Sequence, residues 1–335
     1  MKTLLLSQKE AMSLITMKDV VEIVEKNFRG MGEGNVINPT KVNLDLGETS
    51  PYPPYAGYMN AMPAYIGWEN VAGIKWAGGA LGKRKALGLP YISSMMFLVD
   101  PVTLQFKSVM DSAMITNYRT GAQSAVAMKY LTKKRNITFG LYGAGMQART
   151  QVMAFAEIFT LNKIKVYDVY TPAAEKFKKD VAQYVKNGNI EICSVPRDVV
   201  EDCDAIVAVT QAQKPIVEDS WIRPKQVFFP MGSWQECTDE FILNADKIVV
   251  DHIGQCLHRG ALKHVVSEGK FSEKDIYCTI GELVAGKKKL AYVEDRPAER
   301  TICIPIGTGA QDVAVGGVIY QRAIAKGIGG SFQFV

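Results

Sequence analysis

Lys75 and Arg119 are the two cations whose surroundings ask for a chemical explanation. Lys75 lies within Val71-Ala72-Gly73-Ile74-Lys75-Trp76-Ala77, a run whose composition predicts a strand. Two readings are open for it. It reaches water from a strand edge along its own methylene stem. Alternatively it points into a polar cleft, where partial desolvation lowers its pKa and suits it to proton transfer or carboxylate binding. Arg119 lies at the start of a helical pattern, in Thr116-Asn117-Tyr118-Arg119-Thr120-Gly121. A cation near a helix N-terminus opposes the dipole, so a partner must favour it. A bidentate carboxylate ligand is one candidate and a structural ion pair the other. Thr120 and Gly121 either reach a cofactor phosphate or pack.

A second constellation spans residues 136–149, Asn-Ile-Thr-Phe-Gly-Leu-Tyr-Gly-Ala-Gly-Met-Gln-Ala-Arg. A β-prone run meets Gly143-Ala144-Gly145, and a helical pattern follows from Met146 to about Phe159. In this Gly-x-Gly-x-x-Ala pattern Gly143 permits the turn and Gly145 lets the backbone approach a pyrophosphate. Ala148 is small enough for the helix to pack on the strand. The helix N-terminus offers N–H groups to phosphate. A second strand ends in Asp168, twenty-five positions after Gly143, near the distance at which an acid holds the ribose hydroxyls of NAD. That carboxylate would repel a 2′-phosphate, and Val169-Tyr170 follow it rather than an arginine, which favours NAD(H) over NADP(H). Thr210 and Met231-Gly232-Ser233 close later strands, and ligands bind at such carboxyl ends, so these loops are expected beside the nicotinamide.

These groups need elements to hold them. Ser7-Gln8-Lys9-Glu10 fits a capping box, and a helix is expected from Met17 to about Phe28, ended by Gly30, Gly32 and Gly34. From 40 to 111 strand patterns with short Gly- and Pro-containing loops predict a mostly antiparallel sheet. Ser112 is expected to cap a helix over Ala113 to Leu131. From Ile137 strands and helices alternate, with strands near 137–142, 163–167, 190–193, 204–209, 226–231 and 247–251. That pattern predicts a doubly wound parallel sheet. One more strand, Ile302 to Ile306, leads through Gly307-Thr308-Gly309 into a last helix, about Gln311 to Lys326. The fold class is therefore α/β, a Rossmann-type parallel sheet inserted into a smaller, mostly antiparallel α+β domain. The expected division is 1–130 with 311–335 against 131–310.

The 335 residues are 47% hydrophobic and 22% charged with a net charge of +5, the ordinary range for a globular chain. No basic run or aromatic–basic motif points to nucleic acid, and no uncharged stretch is long enough to span a membrane. The basic, glycine-rich segment 78–90 reads as a solvated loop. The six cysteines (Cys193, Cys203, Cys237, Cys256, Cys278, Cys303) lack Cys-x-x-Cys spacing, and His252, His258 and His264 fall six apart, so no metal is expected. Scattered thiols and the absence of a signal-peptide pattern place the expected protein in the cytoplasm.

Met62-Pro63, Gly73-Ile74-Lys75, Gly88-Leu89-Pro90, Leu98-Val99-Asp100-Pro101, Arg119-Thr120-Gly121-Ala122, Gly143-Ala144-Gly145-Met146-Gln147-Ala148, Val250-Asp251, Gly281-Glu282-Leu283 and Gly307-Thr308-Gly309 occur in the order seen in the ornithine cyclodeaminase/mu-crystallin family. On these pieces, spread over nearly the whole chain, the sequence resembles that family. It holds cyclodeaminases, amino-acid dehydrogenases and reductases of cyclic ketimines and other imino acids. The resemblance implies a homodimer with the early strands forming the substrate and dimer domain. It implies that Lys75 contacts the substrate carboxylate and serves proton transfer, and that Arg119 binds the carboxylate. Gly143, Gly145 and Gln147 match the pyrophosphate loop, and Met146 and Thr120 are expected to join them in binding the cofactor.

Three departures narrow the reading. Lys41 stands where many members have a carboxylate-binding arginine, which keeps the charge but loses the fork. Ala61 or Met62 stands where ornithine cyclodeaminases place a glutamate for the distal amine. Gly232-Ser233-Trp234-Gln235-Glu236 stands where cyclodeaminases and the family's alanine dehydrogenase have Gly-Ala-Asp, and the missing aspartate argues against ornithine cyclodeaminase chemistry unless Glu236 substitutes. The expectation is an NAD(H)-dependent oxidoreductase acting at the C–N bond of an amino or imino acid. The alternatives are a cyclodeaminase that retains NAD and a non-catalytic NADH-binding protein. Trp76, Tyr91, Trp234 and Met62 either shape an apolar pocket or belong to the core.

Overall fold

The structure is a computed structural model that describes residues 2–46, 57–80, 88 and 92–334. Tyr91 and most of the basic loop, 81–87 and 89–90, lie outside the described residues. The chain forms two compact units, Met1–Arg119 with Thr308–Val335, and Thr120–Gly307. The expected cut at 130/131 followed the end of a helix. The units divide instead inside that helix, because its second half belongs with the inserted unit: a Cβ on Gly121 would stand 2.3 Å from the Thr150 carbonyl oxygen.

In chain order, the first segment contains β1 (Lys2–Leu6), α1 (Gln8–Ser13), α2 (Met17–Glu33), β2 (Val36–Ile37) and β3 (Val42–Asp45). It continues through β4 (Gly57–Ile66), β5 (Val71–Ala80), β6 (Ile92–Val99) and β7 (Phe106–Asp111) into α3 (Ala113–Leu131). Ser7 with Glu10 and Thr16 with Asp19 close capping boxes that start α1 and α2. Helix α2 runs past the expected stop and through Gly30 and Gly32, ending at Gly34 in the left-handed region, φ +83°. Gly30 is buried inside it, where an added Cβ would crowd Trp68 and Val36, so packing outweighs the low helix propensity of glycine. Ser112 occupies the N-cap of α3, but its hydroxyl bonds Ser94 at 2.6 Å, and Asp111 caps the Ala113 N–H instead.

The inserted unit holds β8 (Asn136–Tyr142), α4 (Met146–Ile158), β9 (Thr160–Tyr167), α5 (Thr171–Val181), β10 (Ile190–Ile192), β11 (Ala205–Ala208) and β12 (Val227–Pro230). It continues with α6 (Asp239–Asn244), β13 (Lys247–Val250), α7 (Ile253–Cys256), α8 (Lys263–Ser267), β14 (Cys278–Thr279), α9 (Ile280–Val284), β15 (Tyr292–Val293), β16 (Arg296–Pro297) and β17 (Thr301–Ile304). The chain then returns to the first unit with α10 (Gly309–Lys326) and β18 (Gly330–Gln333).

The first unit is built on one eight-stranded sheet, ordered β18-β1-β7-β6-β5-β4-β2 with β3 also paired to β4. Every pair is antiparallel except β1 with β7. Helix α10 packs on β4, β5, β6 and α2. Period-two alternation then puts Met62, Ala64, Ile66, Met96, Leu98 and Met110 in the core. The terminal strand β18 was not expected; Gly327 caps α10 at φ +62° and the chain turns back to pair with β1.

The inserted unit has an all-parallel sheet, ordered β10-β9-β8-β11-β12-β17-β13-β14. Strands β11, β12 and β17 are buried along their whole length, which is why they read as continuous apolar runs. The order reverses between β8 and β11, and such a switch point opens a crevice at the carboxyl ends of the strands.

Candidate active site

In the first unit, Lys75 sits mid-way along β5, an interior strand that faces Met62 of β4 and Met96 of β6. The strand-edge reading therefore falls, since the residue is 1% exposed. Its ammonium lies 2.6 Å from Asp312 Oδ2 and donates to Thr116 Oγ1 at 3.3 Å. Thr116 in turn donates to the Ser112 carbonyl at 2.8 Å.

Asp312 is the fourth residue of α10 and is fully buried. Its position follows from how that helix docks. A Cβ on Gly309 would lie 2.4 Å from the Met62 carbonyl oxygen, so only glycine lets α10 approach β4 this closely. Asn38 Oδ1 accepts the Ala310 N–H at 2.9 Å. Met62 is the cross-strand partner of Lys75, so the docking that seats Gly309 on Met62 brings the first turn of α10 to the lysine.

Asp312 Oδ1 also accepts Arg119 Nε at 3.0 Å. Arg119 is buried two turns into α3 rather than at its first turn, so this carboxylate, not the helix end, accounts for it. Burial pushes the Lys75 ammonium down to about 7, helped by the Arg119 charge and more weakly by Lys41, while Asp312 opposes the shift. Burial pushes the Asp312 carboxyl up, but the charges of Arg119 and Lys75 outweigh it and leave it below its ordinary value. Lys41, between β2 and β3, is half-buried and close enough for its charge to be felt at Lys75. Lys75 and Arg119 thus meet at one carboxylate, and Lys41 of the same unit acts on Lys75 through its charge.

In the inserted unit, Gly143 has φ +92°, and a Cβ there would meet the Val209 carbonyl at 2.7 Å. Its N–H bonds the Tyr167 carbonyl at 2.8 Å, and the Ala144 N–H bonds Asp168 Oδ2 at 2.8 Å. Asp168 Oδ1 accepts the Tyr170 N–H at 2.8 Å, so this carboxylate ties the end of β9 to the glycine loop while keeping lone pairs for hydroxyl donors. Around a Cβ placed on Gly145 there is open space, and Met146 opens α4 half-exposed. Among the described residues the N–H groups of Gly145 and Met146 have no protein acceptor. The Gln147 carbonyl takes the Thr150 hydroxyl at 3.0 Å, and the Thr120 carbonyl takes Gln151 Nε2 at 3.4 Å. A tight turn, an uncrowded glycine and two outward donors at a helix start fit a pyrophosphate.

At the ends of β11 and β12, Thr210 and Met231 are brought to the same crevice as Gly143, but Thr210 is not unoccupied. Its hydroxyl donates to Glu236 Oε1 at 2.6 Å, and its N–H reaches the same oxygen at 2.9 Å. Glu236 Oε2 takes the Gly232 N–H at 2.7 Å. Burial pushes the Glu236 carboxyl up to about 7, against those hydrogen bonds. Met231 bonds the Ala208 carbonyl through its N–H and receives the Ser124 hydroxyl at its sulfur, 3.5 Å.

The residue that sequence reasoning missed is Asp312. An acid four residues into an otherwise apolar helix, in Gly309-Ala310-Gln311-Asp312-Val313-Ala314-Val315, was the available signal. Isolated buried carboxylates are costly, so a cation partner was to be expected.

One chain that holds both a parallel doubly wound unit with a phosphate-binding turn and a second unit with buried cations has the make-up of a dinucleotide-binding protein that handles small anionic ligands. The family profile of the ornithine cyclodeaminase/mu-crystallin family matches residues 1–327, and the chain belongs to that family. It is 34% identical over 337 residues to an alanine dehydrogenase of Archaeoglobus fulgidus, covering 100% of this chain and 99% of that one. Among solved structures it is similar to an archaeal alanine dehydrogenase dimer with bound NAD, with TM-score 0.89, 34% identity and 100% of both chains covered. It is also similar to the Δ1-pyrroline-2-carboxylate reductase of Thermococcus litoralis in complex with NADH and L-proline. That match has TM-score 0.88 and 30% identity, covering 98% of this chain and 99% of that one.

Proposed function

We propose that the protein is an NAD(H)-dependent oxidoreductase acting at the C–N bond of a small amino or imino acid. The observation that carries this is the wholly buried Asp312, which holds Lys75 and Arg119 together. Bound NAD(H) supplies the hydride in one direction and accepts it in the other. Gly143, Gly145, Met146 and Gln147 of the loop would hold its pyrophosphate, Asp168 would accept from ribose hydroxyls, and Thr120, Thr210 and Met231 would line the rest of its site. Lys41, Lys75 and Arg119 present positive charge to the substrate carboxylate and orient it. With its pKa near 7, Lys75 Nζ can give a proton to an imine nitrogen and take one back from the amine.

Glu236 is committed to Thr210 and Gly232, so the loop that carries an aspartate in cyclodeaminases offers no replacement acid here. On one face of the sheet Trp76 and Met95 are cross-strand partners and both exposed, with Phe106 exposed on β7. We place a second copy of the chain on that apolar face, in keeping with the dimer of the alanine dehydrogenase relative. All six cysteines are buried and none is in a disulfide, which suits a reducing cytoplasm. Among the described residues no helix is long and apolar enough to cross a membrane.

The test is absorbance at 340 nm with NADH or NADPH and a panel of 2-oxo acids with amines, and cyclic ketimines. The reverse arm uses amino acids with NAD. Net NADH consumption with an imine acceptor is expected. Proline formed from ornithine with no net NADH change would overturn the assignment in favour of a cyclodeaminase.

A further inference from the structure

Arg149 is the fourth residue of α4, where a cation opposes the helix dipole. Its contacts explain its presence. Nη1 donates to the carbonyls of Ala144 at 2.7 Å and Gly145 at 2.9 Å. Nε and Nη2 both donate to Asp180 Oδ2 of α5, at 2.8 and 2.7 Å. The guanidinium lies 5.7 Å from the centre of the Phe177 ring, which is buried.

These two carbonyls matter for a geometric reason. In a trans peptide the C=O of one residue and the N–H of the next point in opposite directions. Drawing the Ala144 carbonyl onto Arg149 turns the Gly145 N–H away from it. Drawing the Gly145 carbonyl onto Arg149 does the same for the Met146 N–H. Among the described residues those two N–H groups have no protein acceptor, whereas the N–H groups of Gly143 and Ala144 are already used by Tyr167 and Asp168.

We propose that Arg149, anchored by Asp180, is a positioning residue that aims the Gly145 and Met146 N–H groups at the dinucleotide pyrophosphate. Glycine residues make the loop able to take this shape, and the arginine selects it from the others that glycine permits. The proposal rests on the dinucleotide reading of this loop. It adds a requirement that the glycine motif does not contain, a planar group whose Nη1 serves both carbonyls while its Nε and Nη2 hold Asp180, a span that a single ammonium nitrogen does not cover.

The test is NADH binding to the full protein, followed by nucleotide fluorescence without turnover, for the parent and for Arg149→Met, Arg149→Lys and Asp180→Asn. Arg149→Met should weaken NADH about tenfold or more, the scale of losing charge-assisted hydrogen bonds that preorganise a site. Arg149→Lys should weaken it nearly as much, and Asp180→Asn in the same direction but less. In the cofactor-free protein, amide hydrogen exchange over 143–147 should accelerate in each variant, a readout independent of any bound nucleotide. If Arg149→Met fails to fold, the lysine and asparagine variants carry the test. Parent-like affinity in Arg149→Lys would mean that charge alone matters and would overturn the proposal. So would weakened binding in Arg149→Met with no effect of Asp180→Asn, since the arginine would then act directly on phosphate. A parent protein that binds no NADH overturns the dinucleotide reading itself.

Discussion

Asp312 Oδ2 lies 2.6 Å from Lys75 Nζ, and the two side chains are almost wholly shielded from water. The other oxygen of the same carboxylate meets Arg119 at 3.0 Å. One acid therefore opposes the burial that drives the proton from one cation and holds a second in place. Asp312→Asn removes the attraction that holds Lys75 protonated, so the lysine pKa should fall further below its present value near 7. A buried pair broken on one side costs about 3–5 kcal/mol. Denaturant unfolding should register that loss, and the pH–rate profile should move its alkaline limb to lower pH. An unmoved limb would detach Asp312 from the chemistry.

Lys75 as the proton carrier has its own signature. The protonated form is needed for imine reduction, so reductive turnover should decline as pH rises through about 7. Amino-acid oxidation needs the neutral amine and should rise over the same range. Lys75→Ala should lower turnover roughly 10²–10⁴-fold, the usual contribution of a positioned acid–base group, with little change in NADH affinity. Parent-like turnover in that variant would remove Lys75 from the mechanism.

Gly143→Ala tests the turn. Its φ of +92° is strained for any residue with a side chain, and the new methyl group would meet the Val209 carbonyl at 2.7 Å. NADH affinity should drop by at least an order of magnitude. Isothermal titration measures it, and unchanged affinity would place the dinucleotide elsewhere.

Glu69 offers a stability test away from the site. Both its oxygens are buried against Gly317 of α10 and, among the described residues, have no hydrogen-bond partner. Burial raises its carboxyl to about 8 from an ordinary 4.5, despite the attraction of Lys26 and Lys107. The folded state thus holds a proton that the unfolded chain releases. This contribution is fully present below about pH 4.5 and is lost as pH rises toward 8. Glu69→Gln, of the same shape without the titration, should flatten that decline and raise Tm at pH 9 by roughly 2–4 °C. Equal Tm-against-pH curves for parent and variant would refute the shift.

Local chemistry was enough to read much of this protein from its residues. The glycine turn before α4, the acid at the end of β9, the parallel βα alternation and the antiparallel run before α3 all declare themselves through spacing, because turns and periodicity act over a few residues. Lys75 and Arg119 could be singled out for the same reason, as charges in surroundings that disfavour them. What joined them could not be read locally. Asp312 lies 237 positions after Lys75 in the chain and meets it only because Gly309 seats α10 against Met62. The choice between a strand-edge lysine and a buried one depended on whether β4 and β6 flank β5 on both sides, which is a property of the sheet. Helix α2 passed through two glycines because Trp68 and Val36 pack on one of them. Sequence alone determined which residues were chemically out of place. Tertiary structure decided which partner each one has, because burial and charge pairing act through space without regard to separation along the chain.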